Sequence, residues 1–295
     1  MLFLVLLLVV FVLILLYLGP DTTLYRGDLS SYPLALCNDG TTATYYYSGD
    51  IQTSGKLLLY MQGGGACGSV EECARRCNNQ ESAFRCTTSN NQTIEESYTF
   101  WSPDQDTNPP FHDFAKVFLH YCSSDGWQGS RDAGEETGGY HFHGKDIVNA
   151  ILDDLIATKI NIDQIEQVVL LGTSAGAMGV QGVCDSVADT FKAENNDIDA
   201  RCIADSGDLV PTIGQDCNTE EEVAAGLEFY GAELDPSCAG SNSLLECKLF
   251  SSSYQFINTP LMVVHNYIDP VVTGPCAPEV NNENPGYLSQ WPQQV

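Results

Sequence analysis

The stretch QVVLLGTSAG, residues 167–176, is the part of the sequence that decides the fold. Its first five residues are a continuous apolar run, which is typical of a strand buried on both faces of a parallel sheet. The next five, 172–176, fit the Gly-x-Ser-x-Gly pattern of a sharp turn from a strand into a helix. Such a turn holds its serine hydroxyl at the carboxyl edge of the sheet, so the pattern predicts Ser174 as a nucleophile. An ordinary glycine-rich turn is the alternative interpretation of these residues alone.

Apolar runs and amphipathic stretches alternate along most of the chain. The apolar runs predict strands at residues 44–47, 56–61, 115–121, 167–171, 201–204 and 260–265. Helical periodicity predicts helices at residues 70–77, 144–158, 176–191, 220–230 and 244–250. Strands that alternate with helices indicate an α/β fold with a doubly wound, mostly parallel sheet and helices on both faces.

A second glycine-rich segment, QGGGA at residues 62–66, directly follows the strand at 56–61. Glycines at the end of a strand allow backbone N–H groups to face a developing negative charge. We therefore predict that the N–H groups of Gly65, Ala66 and Ala175 form an oxyanion hole. No Lys-Ser or Lys-Thr pair follows the glycines, which argues against a phosphate-binding loop.

Two acidic residues follow strands that come after the serine in the chain. In hydrolases with this turn the acid follows the serine, and the histidine follows the acid. Asp269 comes after the strand at 260–265, and we predict that it orients the histidine. Asp205, after an earlier strand, is the alternative acid, and a turn-capping role before Pro270 is the alternative for Asp269.

The loop at residues 123–129 follows the strand at 115–121 and should reach the same edge of the sheet. It contains Trp127, which we predict to be an apolar wall of the substrate pocket. A surface loop held by a disulfide bond is the alternative interpretation of this segment.

Five segments, in this order, resemble the pectin acetylesterase and Notum carboxylesterase family: LYMQGGGACG, YCSSDGWQG, GTSAGAMGV, CIADSG and VVHNYID. The similarity extends over roughly residues 35–275. The resemblance implies an α/β-hydrolase fold, disulfide bonds, a secretory route, no metal and a Ser-Asp-His triad. It maps the triad onto Ser174 and Asp269, and the oxyanion hole onto Gly65, Ala66 and Ala175.

Two features depart from the family pattern. Family members usually have Trp at the position of Ala66, so the bulk beside the acyl group is altered. The triad histidine should follow Asp269, but residues 270–295 contain none. Five histidines occur earlier and are alternative bases: His112, His120, His141, His143 and His265. We expect residues 21–295 to form an α/β-hydrolase domain that is incomplete at its C-terminus, and this polypeptide to be nearly inactive without its base.

The N-terminus and the cysteines predict an oxidising compartment. Residues 2–18 are uncharged and almost entirely apolar, which favours a signal peptide within residues 1–20, with an uncleaved membrane anchor as the alternative. The 12 cysteines are expected to form disulfide bonds. Asn91 begins a glycosylation sequon. We expect a secreted or membrane-anchored protein with an extracellular or lumenal catalytic domain.

The charge and the histidine spacing limit the partners. A net charge of −27 repels nucleic acid and disfavours a polyanionic substrate such as pectin itself. His141 and His143 form a His-x-His pair, but no further metal ligand is evident, so we expect neither a metal site nor a cofactor.

These features favour a serine carboxylic-ester hydrolase that removes acetyl groups from an extracellular polysaccharide and acts as a monomer. A deacylase of a lipid-modified protein is the first alternative. A non-catalytic binding protein that keeps the pocket is the second, because the triad histidine is missing.

Overall fold

The computed structural model describes residues 24–79, 83–88, 99–207 and 219–265. The predictions for residues 1–20, Asn91 and Asp269 lie outside these ranges. Within them, the structure contains no helix with the length and apolar composition that a membrane crossing requires.

The described residues form one seven-stranded sheet in the order β1-β2-β4-β3-β5-β6-β7. The strands are β1 (Leu24–Arg26), β2 (Tyr45–Ser48), β3 (Lys56–Met61), β4 (Ala115–Leu119), β5 (Gln167–Thr173), β6 (Asp199–Asp205) and β7 (Leu261–Val264). The five strands from β4 to β7 in this order run parallel, whereas β1 and β2 are antiparallel additions at one edge. The predicted α/β class and mostly parallel sheet are confirmed. Strand β4 lies between β2 and β3, although β2 and β3 are neighbours in sequence.

The helices fall close to the predicted segments. They are α1 (Val70–Asn78), α2 (Gly144–Asp154), α3 (Ala175–Glu194), α4 (Glu220–Tyr230), α5 (Pro236–Ala239), α6 (Leu244–Lys248) and α7 (Phe250–Ser253). Helix α2 continues as one wider turn at Leu155–Lys159, and the helix predicted at 244–250 is two short helices. Helix α4 begins at a capping box of Thr219 and Glu222 and ends at Gly231, whose φ is 61°.

The alternation of side chains along β3 divides the core between the two faces of the sheet. Leu57, Leu59 and Met61 point into the larger cluster, which also holds the buried faces of α2 and α3. Leu58 and Tyr60 point into a smaller cluster, which Phe100 and Trp101 cover from the other side. Because both faces of β3 and β5 are buried, these strands have continuous apolar sequences.

Five disulfide bonds join ten of the twelve cysteines. The pairs are Cys37–Cys122, Cys67–Cys73, Cys77–Cys86, Cys184–Cys202 and Cys238–Cys247. The prediction of disulfide bonding is confirmed for these ten, and Cys217 and Cys276 lie outside the described residues. Two of the bonds lie in the segment after β3, and Cys184–Cys202 fastens α3 to β6. The candidate site is therefore held by covalent links on both sides.

Candidate active site

Ser174 occupies a strained turn between β5 and α3. Its φ is 57° and its ψ is −121°, in a region that residues other than glycine rarely adopt. The Ser174 N–H donates to the Asp205 carbonyl oxygen at 2.8 Å, and the Ser174 carbonyl oxygen accepts from Ala177 at 2.9 Å. A conformation of this kind costs about 1–3 kcal/mol and persists because the surrounding structure enforces it.

The two glycines of the turn are required by close backbone contacts. A Cβ atom on Gly172 would lie 2.2 Å from the Gly176 carbonyl oxygen. A Cβ atom on Gly176 would lie 2.0 Å from the Met61 carbonyl oxygen, at the end of β3. The start of α3 thus lies directly against the neighbouring strand. The geometry is that of the sharp strand-to-helix turn, not of an ordinary glycine-rich connection.

The glycine loop after β3 lies against the serine. A Cβ atom on Gly63 would be 2.3 Å from the Thr173 carbonyl oxygen and 3.1 Å from the Ser174 Cβ. Gly65 follows with a φ of 72°, which favours glycine. No backbone carbonyl of the described residues accepts from the N–H groups of Gly65, Ala66 or Ala175. These three N–H groups remain the predicted oxyanion donors.

Two arginines hold the glycine loop from outside, and the sequence analysis did not identify them. Arg85 donates to the Gly64 carbonyl oxygen at 3.2 Å, and Arg76 donates to the Gly65 carbonyl oxygen at 3.4 Å. Arg76 also donates to the Ser124 hydroxyl at 2.7 Å. Both guanidinium groups bind carbonyl oxygens of the loop and so fix its backbone from the side away from its N–H groups.

Trp127 is fully buried and positions the residue before the glycine loop. Its ring stacks on Tyr121 with centroids 5.1 Å apart, and its Nε1–H donates to the Gln62 carbonyl oxygen at 3.0 Å. It lines a cavity of about 80 Å³ that is also lined by Gln128 and Lys248, and Ser174 is not part of that lining. The described contacts of Trp127 are those of a support for the loop.

Buried Asp125 organises the loop that carries Trp127. Its carboxylate accepts N–H groups from Trp127 at 2.9 Å, Gly129 at 3.2 Å and Gly144 at 2.8 Å. Burial raises the pKa of Asp125, and the Ser123 hydroxyl and the N–H groups of Gly144 and Trp127 oppose the rise. One carboxylate therefore joins the loop to the beginning of α2.

A second cavity, of about 160 Å³, lies beside the glycine loop and the first turn of α3. Ala66 and Met178 contribute from these two segments, and α4 contributes apolar side chains such as Val223 and Leu227. Lys248 also lines it and donates to Gln128. Burial lowers the pKa of Lys248 to about 7. Lys248 was not identified from the sequence, because a lone lysine in a short helix gives no signal of burial.

Among the residues that the structure describes, Asp205 at the end of β6 is an acidic residue next to the Ser174 turn. Its carbonyl oxygen accepts from Ser174, and its carboxylate accepts from the Ser206 hydroxyl at 2.7 Å. Asp269 lies outside the described residues, so its predicted role is not tested by these contacts.

Three of the five histidines have described partners away from Ser174. His120 is buried, with its Nδ1 3.2 Å from the Gln62 side-chain oxygen. His112 donates to the Pro109 carbonyl oxygen at 3.1 Å, and His143 lies between two carboxylates. None of these four contacts involves the Ser174 hydroxyl.

Comparison with known proteins agrees with this geometry. The family model described as pectinacetylesterase matches residues 29–289. The chain belongs to the pectinacetylesterase family. The matched range contains the glycine loop, the Ser174 turn and Asp269.

The relatives of this pectinacetylesterase family member fall into two named groups. It is 30% identical over 215 residues to palmitoleoyl-protein carboxylesterase notum2 of Xenopus laevis. This alignment covers 70% of this chain and 43% of the relative. It is 27% identical over 249 residues to pectin acetylesterase 4 of Arabidopsis thaliana. This alignment covers 80% of this chain and 57% of the relative. The chain thus spans about half the length of the curated relatives it matches.

A solved structure shares the fold. The crystal structure of the Wnt deacylase Notum from Drosophila superimposes with a TM-score of 0.77 and 25% identity, and covers 90% of this chain and 78% of that chain. The predicted resemblance to the pectin acetylesterase and Notum family is confirmed.

Proposed function

We propose that this chain carries the nucleophile and oxyanion hole of a serine carboxylic-ester hydrolase. The observation that carries the proposal is the Ser174 turn, whose φ of 57° is enforced by glycines that touch the backbone of β3 and α3. Such strain clusters at functional sites and holds the hydroxyl away from its own helix. Membership of the pectinacetylesterase family supports the same reaction class.

In the proposed reaction, the Ser174 Oγ attacks the carbonyl carbon of the ester. Backbone N–H groups of Gly65, Ala66 and Ala175 stabilise the oxyanion that forms. A histidine accepts the serine proton and gives it to the leaving alcohol oxygen. Asp269 orients that histidine. Water then releases the acyl group from the serine.

The first substrate class is an acetylated extracellular polysaccharide. The match to the pectinacetylesterase family model and the similarity to pectin acetylesterase 4 of Arabidopsis thaliana support this class. The net charge of −27 favours a polysaccharide of low negative charge over pectin itself. A deacylase of a lipid-modified protein is the second candidate, because a Notum protein is among the relatives at 30% identity.

The disulfide bonds support a proposal for the location of the protein. Five of them in the described part of the chain indicate an oxidising compartment. We further propose that residues 1–20 direct the chain into the secretory route, as a cleaved signal or a retained anchor, and that the protein acts as a monomer.

The test compares the complete protein with its Ser174→Ala variant on p-nitrophenyl acetate, octanoate and dodecanoate. We expect the wild-type protein to favour acetate, and Ser174→Ala to lower kcat/KM by about 10³-fold or more. Ser251→Ala is the matched control, because Ser251 is exposed on α7. Equal rates for wild type and Ser174→Ala would contradict the proposal, and wild-type rates no higher than uncatalysed hydrolysis would favour a non-catalytic binding protein. A preference for dodecanoate would favour the deacylase of a lipid-modified protein.

A further inference from the structure

A second cluster of ionisable side chains lies where residues 131–143 fold back on themselves. Asp132, His141 and His143 each present one ligand atom, and the three atoms lie within 4.8 Å of one another. The Asp132 Oδ1 is 3.1 Å from the His143 Nε2 and 3.9 Å from the His141 Nδ1. Neither the proposed esterase reaction nor the glycine loop uses these residues.

An antiparallel bridge brings the three side chains together. The Arg131 N–H donates to the Phe142 carbonyl oxygen at 2.8 Å, and the Phe142 N–H donates back at 2.9 Å. Side chains alternate between the two faces of such a pair, so residues 132, 141 and 143 share the face opposite to Arg131 and Phe142. The third ligand lies nine residues before the His-x-His pair, which is why the spacing alone did not reveal it.

The backbone of this bridge is firmly anchored. Phe142 is fully buried and packs on the rings of Phe229 and Tyr230 at 5.0 and 5.3 Å. Arg131 donates to the Glu228 carbonyl oxygen at 2.7 Å. Both contacts reach α4, so the three side chains start from a fixed frame.

His143 is already oriented as a metal-binding histidine would be. It is 2% exposed, and its Nδ1 lies 2.7 Å from the Asp146 carboxylate in the first turn of α2. The carboxylate accepts the Nδ1–H, which turns Nε2 toward Asp132. A carboxylate behind one ring nitrogen is the usual outer support of a histidine that binds a metal through the other.

His141 completes the cluster. Its ring centroid is 5.7 Å from that of His143, and its Nδ1 accepts the Ala133 N–H at 3.2 Å. That nitrogen therefore carries a lone pair on the side of the ring that faces Asp132. A cation bound there would replace the hydrogen bond from Ala133.

We propose that Asp132, His141 and His143 bind a divalent transition-metal ion of zinc-like preference. Ligand bonds of about 2.0–2.1 Å in a tetrahedron place neighbouring ligand atoms about 3.3 Å apart. The 3.1 Å between the Asp132 Oδ1 and the His143 Nε2 matches this spacing, and the 3.9 Å to the His141 Nδ1 would shorten on binding. Two imidazoles and one carboxylate suit zinc, whereas magnesium and calcium prefer oxygen ligands. Three protein ligands leave a fourth position for water. The bound ion would link Asp132 to the two histidines that directly precede α2.

The experiment measures zinc binding by the metal-stripped full chain. We expect one Zn²⁺ per chain with a dissociation constant of about 10 μM or lower, a higher Tm with zinc, and no comparable effect of Mg²⁺. Asp132→Asn and His141→Gln are each expected to weaken binding at least tenfold. His112→Gln is the matched control, since His112 lies outside the cluster and should leave binding unchanged.

Cobalt provides a spectroscopic check that separates this site from general binding to a highly acidic chain. Co²⁺ in the wild-type protein is expected to give the intense visible absorption of tetrahedral coordination, and His141→Gln to abolish it. The two main variants change an exposed carboxylate and a partly exposed imidazole, so they test the site without removing buried His143. Zinc binding that is not saturable, or that is as strong in Asp132→Asn and His141→Gln as in the wild type, would overturn the proposal.

Discussion

The two sides of the sheet's carboxyl edge are held in different ways. On one side, β3 and β5 end in backbone contacts so close that only glycine fits at Gly63, Gly172 and Gly176. On the other side, β7 is four residues long, and within the described residues its sheet partner is β6. Its side chains Met262, Val263 and Val264 are exposed by 59%, 37% and 39%.

This difference separates backbone chemistry from side-chain chemistry. The proposed oxyanion hole is made of N–H groups, and the positions of these groups follow from the backbone and its glycines. The acid and the base of a triad are side chains, which reach the site from whichever loops the tertiary structure brings there. The first kind of site leaves a short pattern in the sequence, and the second kind does not.

The largest effect is expected from removing a glycine that lies in close contact with the end of β3. Gly176→Ala would place a Cβ atom 2.0 Å from the Met61 carbonyl oxygen. Because that oxygen belongs to a central strand, we expect the free energy of unfolding to fall by about 3 kcal/mol or more. Urea unfolding and ester hydrolysis measure the loss.

Gly182→Ala is the matched control on the same helix. The nearest atom to its Cβ would be the Gln128 Cγ at 3.7 Å, so there is room for a methyl group. We expect it to stabilise the protein by about 0.5–1 kcal/mol, because alanine favours the helix. Similar losses in both variants would show that the close contact with β3 does not matter.

The second prediction distinguishes Asp269 from Asp205 as the acid of the triad. In the complete protein, Asp269→Asn is expected to lower kcat by about 10³–10⁴-fold, because the histidine loses the group that orients it. Asp205→Asn is expected to lower kcat less than about tenfold. The substitution keeps the Asp205 carbonyl oxygen that holds the Ser174 N–H and alters only the carboxylate bonded to Ser206. A larger loss for Asp205→Asn would transfer the acid role to Asp205.

The elements with strong local patterns could be predicted from the sequence. Strand β3 has the predicted bounds, and α3 begins at Ala175, one residue before the predicted start. The helix predicted to reach residue 158 ends at Asp154 and continues as a wider turn, since periodicity does not distinguish the two. Strand β1 has three residues and no pattern, so it was missed.

The residues that the sequence did not reveal act through distant partners. Arg76 and Arg85 bind the glycine loop, and Asp132 meets His143 across a turn. Lys248 is buried against Gln128, 120 residues away in the chain. Each of these contacts depends on the tertiary structure, and none leaves a spacing that sequence patterns could detect.

The smallest effect is expected for the hydrogen bonds that join α3 to the segment before β7. Asp185 on α3 accepts N–H groups from Asn258 at 2.9 Å and Thr259 at 2.8 Å, just before β7. Burial opposes ionisation of this carboxyl, but the hydrogen bonds from Asn258 and Thr259 outweigh it and lower its pKa. Asp185→Ala is expected to cost about 1 kcal/mol at pH 7, since the partly exposed carboxylate still interacts with water.

The pH dependence of that loss follows from the direction of the shift. A carboxyl whose pKa is lower in the folded state stabilises the fold above the unfolded value of about 3.9, and this contribution disappears as the pH falls through the folded pKa. The difference in unfolding free energy between wild type and Asp185→Ala should therefore be constant from pH 7 to about 5 and shrink below about 4. A difference that stays constant down to pH 3 would mean that the carboxylate charge does not hold the segment before β7. In that case, of the described contacts, the pairing with β6 would be what holds β7 in place. The β7 side of the edge would then be held even more weakly, relative to the glycine contacts of β3 and β5, than the hydrogen bonds of Asp185 indicate.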